Sequence, residues 1–336
     1  MSNQRSYKNI MNKLHINHSS WFFPVLHKLN KAGAPVHRYL KEAGLNRYNF
    51  EQSDCYIPLS CFFDLLEIVH QKEGVASVIS EFVGGYKLED LGPVGRGLAS
   101  CPDLLTACRE TQRTDAQFQT NQRFWLEIMG KQSKLHNAYL DLNQEQFLFM
   151  EVSALVVMLE GFRIAGGQSW LPSEIHTTLN SLEEFEKILP VNECEVKFNQ
   201  SSLGLVFPTE DLALKMGSGQ GPDITSNIPD EASSLSGRIE YLINSLNHGP
   251  IPNLEFIADN TDLSSRSIQR QLAAEGTSYF QIVDEWRFKK SLKLLSESGL
   301  KINEIAERLH YANSANFLRY FKRRTGVTPN KYRESL

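Results

Sequence analysis

Closely spaced cysteine pairs, unbroken apolar runs and a large charge of either sign are all missing from this chain of 336 residues. Its five cysteines (Cys55, Cys61, Cys101, Cys108, Cys194) include no C-x-x-C pair, and nine histidines add only His15-x-x-His18. Four tightly spaced ligands for a structural zinc are lacking, so no metal and no cofactor are expected. Scattered thiols in odd number exclude a disulfide scaffold and fit reduced, buried cysteines in a cytoplasmic protein. The opening MSNQRSYKNIMNKLHINHSS is basic but has no apolar core, so no signal peptide is expected. The most apolar stretch, Phe147 to Ala165, is broken by Glu151, Glu160 and Arg163. A membrane span needs ~20 nearly uninterrupted apolar residues, so a buried core helix is expected there and no membrane partner.

The net charge of −4 argues at first against a polyanionic partner, but it hides a split. From Ser234 to Leu336 there are 15 lysines and arginines against 11 acids, while the rest of the chain has 20 against 28. An acidic body with a mildly basic end points to polyanion binding at that end. With 41% apolar and 22% charged residues the composition is that of a well-cored globular protein, and the length suggests two domains.

The composition changes once. Met216 to Ser236, MGSGQGPDITSNIPDEASSLS, is rich in Gly, Ser, Pro and Asp and reads as a linker. Its glycines do not form a phosphate loop, because Pro222 follows them and no Lys-Ser/Thr does. The expected division is a polar arm over 1–18, a first domain over 19–215, the linker, and a second domain over 237–336. In the first domain, helices are expected over Trp21–Ala43, Pro58–Gln71, Asp103–Thr114 and Leu182–Leu189. A hairpin is expected from Arg123–Met129 and Lys134–Leu142 about Gly130-Lys131, with further strands at Glu174–Leu179, Glu195–Phe198 and Leu203–Phe207. Helices with an antiparallel sheet make an α+β domain.

The second domain reads as all-α and contains a repeat. Leu254, Ile257 and Ala258 match Ile302, Ile305 and Ala306; Ser265, Ile268, Arg270 and Leu272 match Ser314, Phe317, Arg319 and Phe321; Gly276 matches Gly326. Each copy has the form of a helix-turn-helix. Apolar residues at i, i+3 and i+4 make one buried stripe, a short turn follows, and Ser264 or Ser265 in one copy and Ser314 in the other are expected to cap a second helix. The outward faces carry Arg266, Gln269 and Arg270, then Asn316 and Arg319 followed by Lys322, Arg323 and Arg324. Arginine forks match guanine and Gln or Asn amides match adenine in the major groove. One such pattern is weakly specific; two in tandem separate a DNA-reading repeat from solvated charged faces. Between them Tyr279 to Leu295 reads as one long helix, with Phe280, Val283, Trp286 and Leu292 on its buried side.

The segment KINEIAERLHYANSANFLRYFKRRTGVTPNKYR resembles the C-terminal signature of AraC/XylS-family transcription regulators, and LSSRSIQRQLAAEGTSYFQIVDEWRF resembles that family's first helix-turn-helix and connecting helix. The resemblance implies two helix-turn-helix units joined by a long helix, binding to double-stranded promoter DNA, and regulation, commonly activation, through RNA polymerase. By position, base reading falls on Arg266, Gln269, Arg270, Ser314, Asn316 and Arg319, and phosphate contact on Ser265, Lys322, Arg323 and Arg324. One departure is His310, where the family usually has glycine. Earlier segments (IPLSCFFDLLEIV, LEDLGPVGRGLASCPDLLTACRET and VKFNQSSLGLVFPTEDLAL) resemble the arabinose-binding-type sensor domain of an AraC subgroup that includes ornithine-utilisation regulators. That implies a small-molecule effector and a homodimer, with no effector-binding residue carried over. The competing readings are an enzyme acting through a cysteine, and a partner-binding protein with an AraC-like tail. No cysteine has the flanking glycines of a nucleophile elbow, and Cys108-Arg109 alone is electropositive.

Overall fold

The computed structural model describes residues 14–50, 55–73, 87–181, 194–217, 234–246, 251–261 and 263–336. The first elements are β1 (Ile16–His18), a 3-10 turn over Ser19–Phe22, α1 (Phe23–Lys31) and α2 (Val36–Glu42). One helix over Trp21–Ala43 was expected; there are two. Gly33 sits at φ +83°, in left-handed backbone, and Pro35 at the N-cap of α2 lacks the N–H to continue the first helix. Next, β2 (Tyr56–Pro58) pairs antiparallel with β1, Ile16 opposite Pro58. Residues 14–18, the end of the expected polar arm, therefore lie in the core, with Leu14, Ile16 and Asn17 fully buried. Leu14 and Ile16 are two apart, so they point to one side of an extended chain. His15 sets Nε2 3.0 Å from Asp141 Oδ2, and His18 sets Nδ1 2.7 Å from Ser20 Oγ.

After β2 come α3 (Leu59–Glu73), α4 (Gly92–Ala99) and α5 (Leu104–Phe118). Gly95 is needed for close packing, since a Cβ there would lie 1.8 Å from the Leu88 carbonyl oxygen. The hairpin β3 (Gln122–Met129) and β4 (Gln132–Tyr139) turns at Gly130, φ +71°, with Met129 opposite Gln132. Then α6 (Gln144–Gly166) starts at a capping box: the Asn143 side chain accepts from Gln146 N at 2.9 Å, and the Gln146 side chain accepts from Asn143 N at 3.1 Å. Met150, Ala154, Leu155, Met158, Leu159 and Phe162 are all buried, the core helix the apolar run implies. No helix among the described residues is long and apolar enough to cross a membrane.

The remaining strands are β5 (Glu174–His176), β6 (Glu195–Lys197) and β7 (Leu203–Pro208), and the sheet order is β3-β4-β7-β5-β6. The sheet is mixed rather than wholly antiparallel: β5 and β6 run parallel, Glu174 opposite Glu195. The chain from His176 to Glu195 is long enough for the crossover of roughly a dozen residues that a parallel pair requires. The helix expected over Leu182–Leu189 and most of the 216–236 linker lie outside the described residues.

The second half is all helical: α7 (Leu235–Asn244), α8 (Leu254–Asp259), α9 (Ser265–Ala274), α10 (Tyr279–Glu297), α11 (Ile302–Arg308), α12 (Ser314–Thr325) and α13 (Pro329–Glu334). Two cores result. Ile239, Leu242, Ile243, Ile257, Ile268, Leu272 and Trp286 belong to one apolar cluster with the first domain, whereas Leu295, Ile305, Ala306, Leu309, Phe317 and Phe321 form their own. Polar contacts reinforce the join. Ser245 Oγ accepts from Tyr56 N at 2.6 Å, Asn260 Oδ1 accepts from Ser60 Oγ at 2.7 Å, and Arg238 Nη1 donates to the Leu14 carbonyl at 3.1 Å. The Arg47 guanidinium also stacks 4.4 Å over the Phe256 ring.

Because the second cluster is separate, its loss should be local. Phe321→Ala removes a fully buried ring and should cost about 3–5 kcal/mol. Hydrogen exchange should then speed up across α11–α13 and leave α7–α9 protected; equal loss of protection in both would refute two separately stabilised cores.

Candidate nucleic-acid interface

Each helix-turn-helix is fixed at its ends by short-range hydrogen bonds. In the first, Asn253 caps α8 by accepting from Phe256 N at 2.8 Å, and Ser264 caps α9 by accepting from Ser267 N at 3.2 Å. Ile268 and Leu272 are completely buried, so Arg266, Gln269 and Arg270 stand exposed on the opposite side of α9, and Ser265 is half-buried at its first turn. Gly276 follows α9 in left-handed backbone at φ +76°.

In the second, Lys301 N donates to Glu304 Oε2 at 2.7 Å at the start of α11. The cap of α12 is Asn313, whose side chain accepts from Asn316 N at 3.0 Å; Ser314, expected as the cap, is the first helical residue. Asn outcompetes Ser here because its carbonyl lies one residue earlier, where the backbone is still extended. Phe317 and Phe321 meet edge to face one turn apart in the core, leaving Arg319, Lys322 and Arg323 exposed. Arg319 Nη2 donates to Asn316 Oδ1 at 2.6 Å, which brings these two expected base readers together. Gly326 ends α12 at φ +80°, its N–H donating to the Lys322 carbonyl. The pairing of Gly276 with Gly326 in the repeat therefore marks two helix ends.

Arg324 stands apart from the expected phosphate contacts. Its guanidinium donates to Asp284 Oδ2 at 2.6 Å and to Glu285, and lies 4.2 Å from the Phe288 ring centroid. It ties α12 to α10 and is not a free cation at the surface.

The connecting helix contributes what the sequence pattern did not single out. Arg287 Nε donates to the Leu309 carbonyl and Nη2 to the His310 carbonyl, both at 3.1 Å, while the guanidinium covers the Tyr311 ring at 4.7 Å. It clamps the turn of the second unit from outside. An arginine eight residues after Tyr279, next to the buried tryptophan, was the available signal. Trp286 is core, with Nε1 donating to Asn244 Oδ1 at 2.7 Å. Phe280, expected to be buried, is 80% exposed. The inward side of α10 runs through Tyr279, Ile282, Val283 and Trp286, and Phe280 is one residue, about 100° of helix, away from Tyr279.

The departure at His310 has a structural meaning. Its φ is +58°, in the left-handed region where a glycine costs nothing and a side chain is strained. The imidazole stacks on Trp286 with centroids 6.1 Å apart. Burial pushes the Cys55 and Cys108 thiols up to about 12 and Cys101 to about 11, far from a reactive thiolate.

Two capped, outward-facing helices in tandem define a DNA-binding regulator of the double helix-turn-helix class. Residues 257–335 match the helix-turn-helix domain model, and residues 33–216, more than half of the chain, match the model of the arabinose-binding domain of AraC transcription regulator, N-terminal. The chain belongs to the AraC family of transcription regulators. It is similar to the Ornithine utilization regulator of Pseudomonas aeruginosa, 39% identical over 87 residues, 26% of each chain. The HTH-type transcriptional regulator VqsM of the same organism is 31% identical over 115 residues, 34% of this chain and 35% of that one. These matches thus span about a quarter and a third of the relatives' lengths. The crystal structure of the regulator CdpR, also from Pseudomonas aeruginosa, aligns over 95% of this chain and 99% of its own at a TM-score of 0.44 and 18% identity.

His310→Gly should raise stability by about 1 kcal/mol through relief of left-handed strain. His310→Ala, which keeps the strain and loses the ring, should lower it, both read by chemical denaturation. A glycine variant less stable than the parent would mean that the Trp286 stack outweighs the backbone cost.

Proposed function

We propose that the chain binds an operator through α9 and α12 as paired recognition helices. Arg266, Gln269 and Arg270 read one major groove and Ser314, Asn316 and Arg319 the next, while Ser265, Lys322 and Arg323 hold the phosphates. The observation supporting this is that the same outward positions of two capped helices recur on either side of one rigid helix. With 19 residues, α10 spans about 28 Å at 1.5 Å per residue, close to the roughly 34 Å between successive major grooves on one face of DNA.

In this reading the protein works in the cytoplasm, where promoter DNA is, as a homodimer that contacts RNA polymerase and activates transcription when its N-terminal domain binds a small-molecule effector. The effector biases a DNA-competent arrangement of the two domains, whose shared core gives the domains a mechanical connection. The name of the ornithine utilization relative concerns that protein's own signal.

The test is selection of binding sites from a random-sequence DNA pool by the full chain, followed by fluorescence anisotropy across a salt series. An enriched motif, bound more tightly than scrambled DNA and weakening steeply with salt, is expected; no enrichment would remove the reading. Arg319→Ala should cost about 1–3 kcal/mol and relax preference at one base position. Equal loss on every sequence would make Arg319 a phosphate contact. Lys322→Ala should lower the salt slope by about 1, whereas Arg324→Ala should leave it unchanged. A lowered slope in the Arg324 variant would return that residue to the phosphate set.

A further inference from the structure

In the sensor domain, a cleft of about 640 Å³ opens between β4, α6 and the two loops 178–180 and 199–202. Its lining is mixed: Leu142, Phe147 and Leu179 give an apolar part, and the polar part comes from Asn137 of β4, Glu151 of α6, Thr178 of the loop after β5 and Asn199, Gln200 and Ser201 of the loop before β7. Among the described residues the lining holds one carboxylate and no basic side chain.

Two of these groups are costly to keep where they are. Asn137 is 1% exposed, and beyond the neighbouring Tyr139 hydroxyl neither its amide nitrogen nor its amide oxygen has a hydrogen-bond partner. Its neighbour Tyr139 is already engaged, accepting from Gln122 Nε2 at 2.8 Å and donating to the Met150 carbonyl at 3.3 Å. Buried polar side chains with so few partners are rare in folded proteins, and this one lines a hollow large enough for a metabolite. Glu151 is also 1% exposed. Thr177 Oγ1 donates to its Oε2 at 2.9 Å and Thr178 N to its Oε1 at 3.0 Å, so its carboxyl group is fixed toward the same space. Burial raises its pKa above the usual carboxylate range, and a cation placed beside it would reverse that shift. A smaller apolar hollow by Leu98, Leu104 and Met158, about 70 Å³, holds no more than a few waters.

We propose that this cleft is the effector site and that it takes a small organic ammonium compound bearing a neutral hydrogen-bonding group. The ammonium pairs with Glu151, and the second group supplies the donor and acceptor that the Asn137 amide lacks. The inference rests on the effector-sensing reading above and gives it a place and a ligand class.

The test is thermal unfolding of the full chain with four-carbon probes that differ only in their end groups: aminobutanol and putrescine, neutral butanediol, and anionic succinate. Aminobutanol should raise the melting temperature saturably by roughly 2–4 °C; putrescine, whose second ammonium has no lone pair to accept from the Asn137 amide, should raise it less, and butanediol and succinate should not raise it. Glu151→Gln should abolish the shift. Asn137→Leu should reduce it while leaving the free protein as stable or more so, because it replaces a poorly paired amide with an apolar group. Ser201→Phe, at an exposed position on the rim, should block the amines without touching the buried groups. No shift with either amine, an equal shift with butanediol, or an amine shift that survives in all three variants would each overturn the proposal. DNA binding by the Ser201→Phe chain, measured in parallel without amine, reports on the regulator reading separately.

Discussion

Burial of one continuous apolar surface governs this architecture. The cluster that starts around α6 and the sheet passes through β2 and α3 and takes in the inward faces of α7, α8, α9 and the first half of α10. Neither the first helix-turn-helix nor the face of the sensor domain beneath it could stand in water without exposing residues such as Tyr56, Ile239, Leu242 and Ile257. At about 25 cal/mol per Å² of apolar area, such a join outweighs the few hydrogen bonds that decorate it. Those bonds, from Ser245 to Tyr56 and from Ser60 to Asn260, set the register of two surfaces that apolar contact alone would leave free to slide.

The two helix-turn-helix units are therefore alike in local form and unlike in support. The first shares its core with the sensor domain; the second has a core of its own and is held from α10 by charged and polar contacts. Arg287 grips the turn carbonyls, and Asp284 receives both the Arg324 guanidinium and, through its own carbonyl, the Tyr320 hydroxyl at 2.8 Å. Among the described residues α10 belongs to both cores, through Ile282, Val283 and Trp286 in the first and Leu295 in the second.

Much of the DNA-binding half was legible before the structure, because its information is local. Stripe spacing, short turns and glycine punctuation are properties of adjacent residues, and Gly276 and Gly326 ended their helices where the repeat aligned them. The errors were also local and instructive. Ser314 lost the cap to Asn313 by one residue, and Phe280 rotated out because the inward face begins at Tyr279. In the first domain the hairpin at Gly130 was readable from alternation. The parallel pairing of β5 with β6 was not, since parallel partners come from separate stretches of chain.

Glu151 shows the division most clearly. As a letter in an apolar run it excluded a membrane span, and that reading needed only its charge. That the same carboxylate is fully buried, held by Thr177 and Thr178 and set beside a poorly paired Asn137, required strand β4 and the loop after β5 to meet over α6. The sequence by itself determined the doubled DNA-binding unit and the helices that compose it, because these follow from periodicity over a few turns, and its motifs carried the resemblance to the family. Tertiary structure alone decided which arginine is tied down, which turn is strained and where polar groups converge on a cleft, because each depends on the meeting of residues far apart in the chain.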